Sequence, residues 1–123
     1  MRILVVENDV SLANFIRELL EDWGNEVRRC ANGKDAIRYL MIKEYDLILM
    51  EAILPDIKGE DLISRLKDIS PDVRIVTMTE DNSREMESRI RERGILYYMV
   101  KPIETENLKS LLEYTSKKTA DRK

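Results

Sequence analysis

No histidine occurs among the 123 residues, and there is one cysteine. The first absence removes histidine-based metal sites, Ser-His-Asp catalysis and any phosphohistidine formed on this chain. The second rules out an intramolecular disulfide framework and leaves Cys30 as a lone thiol, as suits a reducing compartment. Long apolar runs are missing as well. The first apolar run begins at Ile3 and is short, so neither a signal peptide nor a membrane span is visible, and a cytoplasmic location is expected. Glycine is absent from the first junction after an apolar run, Glu7-Asn8-Asp9-Val10-Ser11, and no Walker-type run occurs. Backbone cradles for nucleotide phosphates are therefore not indicated. A large excess of one charge is lacking too. Lys and Arg number 21 against 24 Asp and Glu, a net charge of -3, so no direct nucleic-acid or membrane partner is suggested.

What is present fits one globular domain. Hydrophobic residues make up 43% of the chain, too many for a disordered one, and the length allows a core without disulfides or metals. Residues 1–116 are expected to form the domain and 117–123 a polar tail that frays. No low-complexity stretch or interdomain linker interrupts the pattern.

Short apolar runs alternate with amphipathic segments. Ile3–Val6, Leu47–Met50 and Val73–Met78 read as strands, as does Leu96–Val100, while the mixed Val27–Cys30 run reads as an edge strand. Leu12, Ile16, Leu19, Leu20 and Trp23 recur at helical spacing up to Gly24. Asn32 can cap a second helix, Leu62, Ile63, Leu66 and Ile69 mark a third, and Leu108, Leu111 and Leu112 mark a last one with Thr105 as its cap. Asn82–Arg93 is helical by period, but only Met86 and Ile90 can anchor it. Five strand–helix repeats imply an α/β fold with a parallel sheet covered on both faces.

The informative residues follow the strands: Glu7-Asn8, Glu51, Thr79 and Lys101. In a parallel sheet these positions meet at the carboxyl edge, where open α/β folds bind ligands. Two carboxylates, an amide, a hydroxyl and an ammonium would converge there. Such oxygen ligands suit Mg²⁺, and a lysine and a hydroxyl can stabilise a phosphoryl group.

Taken together, Ile3-Leu4-Val5-Val6-Glu7-Asn8, Tyr45 to Glu51 with Leu54-Pro55 and Gly59, Val76-Thr77-Met78-Thr79 and Tyr98-Met99-Val100-Lys101-Pro102 resemble the motifs of response-regulator receiver domains. The resemblance covers about residues 2–115. It implies a flavodoxin-like, doubly wound (βα)5 fold with strand order 2-1-3-4-5, and a role in two-component signalling or phosphorelay rather than an enzyme. In that family a partner histidine kinase passes a phosphoryl group to an aspartate, with Mg²⁺. The resemblance places Glu7 and Asn8 on the acidic pair, Glu51 on the phosphoacceptor, Thr79 on the switch hydroxyl, Lys101 on the lysine and Tyr98 on the aromatic that turns inward on activation. It also suggests a cis Lys101-Pro102 bond.

Three departures stand out. Glu51 replaces aspartate, and its extra methylene displaces the carboxylate by roughly an ångström, a shift that can cost on the order of 100-fold in transfer. Asn8 replaces an acid, so Glu7, Asn8 and Glu51 are expected to hold Mg²⁺ weakly or not at all. Glu80 stands where a small residue is usual. The expected function is a pseudo-receiver: Glu51 meets Lys101 or Thr79 directly and partly imitates phospho-aspartate. An atypical working receiver, using Glu51, Asp9 or Asp56 as acceptor, is the alternative. A flavodoxin-like small-ligand binder is the third reading. The expected partners are a sensor histidine kinase or another signalling protein. A homodimer is the further arrangement the resemblance implies, through the fourth helix, fifth strand and fifth helix, with Arg84, Arg89, Arg91 and Tyr97 on the partner surface. Each of these residues also has a plainer reading: a helix cap for Glu7-Asn8, a structural ion pair for Glu51 and Lys101, which is compatible with the pseudo-receiver, a strand-end hydroxyl for Thr79, a packed aromatic for Tyr98.

Overall fold

The computed structural model describes residues 1–121, with side chains described through Lys118. Five strands and five helices alternate along it: β1 (Arg2–Val6), α1 (Val10–Asp22), β2 (Glu26–Cys30), α2 (Gly33–Ile42), β3 (Leu47–Glu51), α3 (Gly59–Ile69), β4 (Arg74–Thr79), α4 (Arg84–Arg91), β5 (Tyr97–Val100) and α5 (Thr105–Asp121). The strands form one parallel sheet in the order β2-β1-β3-β4-β5, as expected. The apolar strands β1, β3 and β4 are the inner ones, and β2, with two adjacent arginines, lies at an edge.

Strand alternation divides the core in two. Leu4, Val6, Ile48, Met50 and Ile75 pack with Ala36 and Leu40 of α2, Leu62, Ile63 and Leu66 of α3, and Ile90 of α4. Ile3, Val5, Leu47, Leu49, Val76 and Met78 pack on the other face with Ile16 and Leu20 of α1 and Leu108 and Leu112 of α5. Helix α4 is the weakly held one. Among the described residues Ile90 is its one buried side chain, so burial there contributes on the order of 2–3 kcal/mol, where α3 buries three such chains.

Local signals explain most helix ends. Helix α1 stops where Gly24 takes φ +89°, a left-handed conformation that costs glycine little. Asn32 caps α2 by accepting from the Asp35 N–H. Two expected caps are corrected. Helix α1 is capped by Asp9, whose carboxylate accepts from the Leu12 N–H at 3.1 Å, while the Asn8 side chain is exposed. Thr105 is the first residue of α5 and does not stand ahead of it. The segment from 117, expected to fray, continues α5 through Asp121; residues 122–123 lie outside the described ones. Between β3 and α3 the chain turns back on itself through the Ile53–Lys58 bridge. Gly59 is needed there, because a Cβ would lie 2.4 Å from the Ala52 carbonyl oxygen.

Candidate functional site

Glu51 ends β3 and Thr79 ends β4; Glu7 and Lys101 lie one residue past β1 and β5. Continuing the alternation puts Glu7, Glu51 and Lys101 on the α1–α5 side of the sheet edge, and Thr79 and Tyr98 on the other. That parity sorts the carboxyl edge into two clusters.

The first cluster is ionic. The Lys101 ammonium donates to Glu7 Oε1 at 2.6 Å and to Glu51 Oε1 at 2.7 Å. The second oxygen of each carboxylate accepts from a backbone N–H two residues on: Glu7 Oε2 from Asp9 at 3.0 Å, and Glu51 Oε2 from Ile53 at 2.9 Å. Glu7 and Glu51 are buried, with 2% and 7% of their surface exposed, so these are charge-assisted bonds away from bulk water. Desolvation pushes the Lys101 pKa down, but its hydrogen bonds to Glu51 and Glu7 outweigh it and the pKa is raised. The Lys101-Pro102 bond is cis. Of the two partners foreseen for Glu51, the one met is Lys101; the Thr79 hydroxyl instead accepts from the Asp81 N–H.

The second cluster is neutral at its centre and is built on the backbone of Asp81. Its N–H donates to Thr79 Oγ1 at 3.2 Å, and its carbonyl accepts from the Tyr98 hydroxyl at 2.8 Å. The Asp81 carboxylate accepts from the Ser83 N–H at 2.7 Å, and Ser83 Oγ in turn caps α4 through Met86. The Ser83 hydrogen bonds lower the Asp81 pKa. Tyr98 faces inward, 5% exposed, and burial raises its pKa; Tyr97, on the opposite face, is 47% exposed. Asp81 and Ser83 have no place in the sequence expectations above. The signal was an Asp-x-Ser spacing ahead of a helical run, which reads as an ordinary turn and cap.

The remaining candidates are dispersed. The Asp56 carboxylate accepts from the Gly33 and Lys34 N–H groups, both at 2.9 Å, and so serves the start of α2. Desolvation opposes these bonds, which nonetheless hold its pKa below the ordinary value. Asp9 is occupied as the α1 cap. Glu80 is exposed beside Lys101 at the rim. Arg89 pairs with Glu60 of α3 at 3.4 Å, whereas Arg91 pairs with Glu87 at 2.6 Å and sits 5.9 Å from the Tyr98 ring centre. Arg84 and Arg91 line one shallow surface; Arg89 faces α3. Burial pushes the Cys30 thiol up to about 12, which keeps it unreactive.

A divalent cation fits this donor set poorly. Both carboxylates are turned onto one ammonium, Asn8 is exposed, and no group of three or more His, Cys, Asp or Glu among the described residues is placed to hold a metal.

A doubly wound parallel sheet whose carboxyl edge gathers two buried carboxylates, a lysine, a hydroxyl and an inward tyrosine is the arrangement of an open α/β domain that carries its site at that edge. The chain belongs to the response regulator receiver domain family, whose model matches residues 3–113. Such domains are signalling modules of two-component systems, and they typically bind Mg²⁺ at the phosphorylation site. The DNA-binding transcriptional regulator NtrC of Azospirillum brasilense is 34% identical over 111 residues, covering 90% of this chain and 23% of that protein. The regulatory protein LuxO of Vibrio cholerae is 31% identical over 119 residues, 97% of this chain and 26% of that one. The chain thus spans about a quarter of the length of these relatives. A two-component response regulator from Clostridium difficile superposes with a TM-score of 0.93 at 25% identity, covering 97% of this chain and 98% of that one. A CheY-like receiver from Methanospirillum hungatei gives 0.90 at 23% identity, over 98% and 97%. No helix among the described residues is long and apolar enough to cross a membrane.

Proposed function

We propose that this receiver is a pseudo-receiver: a signalling domain that works through protein contact, with Glu51 standing partly in place of a phospho-aspartate. The observation that carries this reading is the full engagement of the Glu51 carboxylate. One oxygen takes the Lys101 ammonium and the other the Ile53 N–H. These are a cation and a backbone donor of the kind that would neutralise a phosphoryl group. An acceptor carboxylate tied down at both oxygens is a poor nucleophile, and its pairing leaves Mg²⁺ weakly held. Glu51 supplies one negative charge where a phosphoryl group supplies about 1.5 to 2, so the imitation is partial. The inward Tyr98 supports an active-like state, since the resemblance ties that orientation to activation. Arg84, Tyr97 and Arg91, the last already paired with Glu87 of its own helix, are the residues assigned to the partner surface; Arg89 serves α3–α4 packing first. No reaction is assigned to the domain.

The retained Lys101 and Thr79 favour a second reading, an atypical working receiver. Intact-mass spectrometry after incubation with Mg²⁺ and an acyl-phosphate donor separates the two. The expected result is an unmodified wild type and a singly phosphorylated Glu51→Asp. A phosphoryl group on the wild type that Glu51→Ala abolishes would overturn the pseudo-receiver.

A further inference from the structure

We propose that the open edge of β2 is a docking site for an extended, acidic segment of a partner protein, which adds to the sheet as a further strand. This does not depend on the state of Glu51.

Three observations converge on that edge. First, β2 is an outer strand, and its ladder alternates. Glu26 donates its N–H to Met1 and Cys30 accepts from the Glu7 N–H, so the bonding to β1 falls on residues 26, 28 and 30. The backbone groups of Val27 and Arg29 therefore point outward, into solvent. Second, a cavity of about 620 Å³ runs along this edge, and Arg2, Arg17, Arg28, Arg29 and Lys43 line it with one acid, Glu26. Arg2 pairs with Glu26 and Arg17 with Glu21 at 3.7 Å. None of Arg28, Arg29 and Lys43 makes an ion pair among the described residues. Arg28 instead lies over the Tyr39 ring, 4.7 Å from its centre. In a chain of net charge -3, this is a local surplus of positive charge. Third, the end of α2 beside the cavity leaves Met41 70% and Ile42 76% exposed.

Charge and shape select the occupant. A second copy adding edge to edge would set Arg28 and Arg29 against their own counterparts, which repel; such charges ordinarily protect an edge strand from self-pairing. A nucleic acid would use the cations but leave Ile42, Met41 and the free strand groups unsatisfied. An extended peptide uses all three. Its backbone bonds to Val27 and Arg29, successive acidic side chains meet Arg28 on one face of the sheet and Arg29 on the other, and an apolar residue covers Ile42.

The test is fluorescence anisotropy with a short labelled peptide alternating pairs of glutamates with pairs of valines, which puts carboxylates on both faces of the added strand, titrated with the full chain. The same peptide with lysine for glutamate, an N-methylated version that cannot pair as a strand, and a labelled oligothymidylate are run beside it. The expected result is binding of the acidic peptide that weakens with salt. N-methylation, or Arg28→Glu with Arg29→Glu, should weaken it by roughly tenfold or more, and Ile42→Ser by less. Amide NMR shifts should centre on Val27 to Arg29, and circular dichroism of the variants should match the wild type. No binding at low salt overturns the proposal. So does oligothymidylate binding as tightly with N-methylation making no difference, which would mark a plain electrostatic surface.

Discussion

Two clusters share the carboxyl edge of the sheet, and they are held by different physics. On the α1–α5 side, Glu7, Glu51 and Lys101 form a buried triad of charges drawn from three places in the chain. On the other side, Thr79, Asp81 and Tyr98 are joined by hydrogen bonds to one residue's backbone. The triad has no neutral fallback: removing the cation leaves two desolvated carboxylates facing one another. The Asp81 cluster can lose a hydroxyl and hand the carbonyl to water, because the loop lies at the surface. A fixed charge centre beside a lightly tethered arm is what a domain needs if the arm, with weakly held α4, is to report on the centre.

The largest expected effect is therefore on the triad. Lys101→Met should cost roughly 3–5 kcal/mol of stability, the usual penalty for leaving buried charge unpaired. Urea unfolding measures it. A cost below about 1 kcal/mol, as for an exposed pair, would mean that the two clusters do not differ in kind. The pH dependence has a fixed sign. The folded pKa of Lys101 is raised, so its stabilisation is complete below the unfolded value of about 10.4 and is lost as pH climbs through the raised one. The gap between wild type and Lys101→Met should hold at neutral pH and close only in strong alkali.

Tyr98→Phe should cost less, about 1 kcal/mol for one hydrogen bond to a carbonyl that water can reach. Its signature should be local. Hydrogen exchange should rise in the 81–91 stretch with little change in β1 or β3, since Ile90 alone buries α4. Exchange rising equally throughout the sheet would show that the arm and the core open together, and the contrast between the clusters would fail.

The difference between the clusters also marks what the sequence could convey. Four apolar runs and one mixed run marked the five strands, and a polar residue at the end of each apolar one marked the carboxyl edge with Glu7, Glu51, Thr79 and Lys101 on it. Which of these meet depends on strand parity and side-chain torsions, which the motifs do not carry. Hence Glu51 was open between Lys101 and Thr79. Asn8 and Asp9 are both good caps, and only the backbone decides between them. Asp81 escaped notice because its main function is done by its N–H and C=O, which every residue possesses. The β2 pocket was invisible for another reason: Arg2, Arg17, Arg28 and Lys43 are scattered along a chain whose net charge is negative, and folding gathers them.

The smallest expected effect tests whether the charge of Asp81 matters at all. Its carboxylate accepts from Ser83 and its pKa is lowered, so it stabilises the fold above the unfolded value of about 3.9, and that increment is lost as pH falls through the lowered one. Asp81→Asn keeps an oxygen that can accept from the Ser83 N–H but removes the charge. The melting temperature of the wild type should exceed that of Asp81→Asn slightly at neutral pH, and the gap should shrink to nothing in strong acid. No gap at any pH would assign the whole tether to the Asp81 backbone. The arm would then be held by neutral hydrogen bonds alone, and the contrast with the ionic triad would be complete.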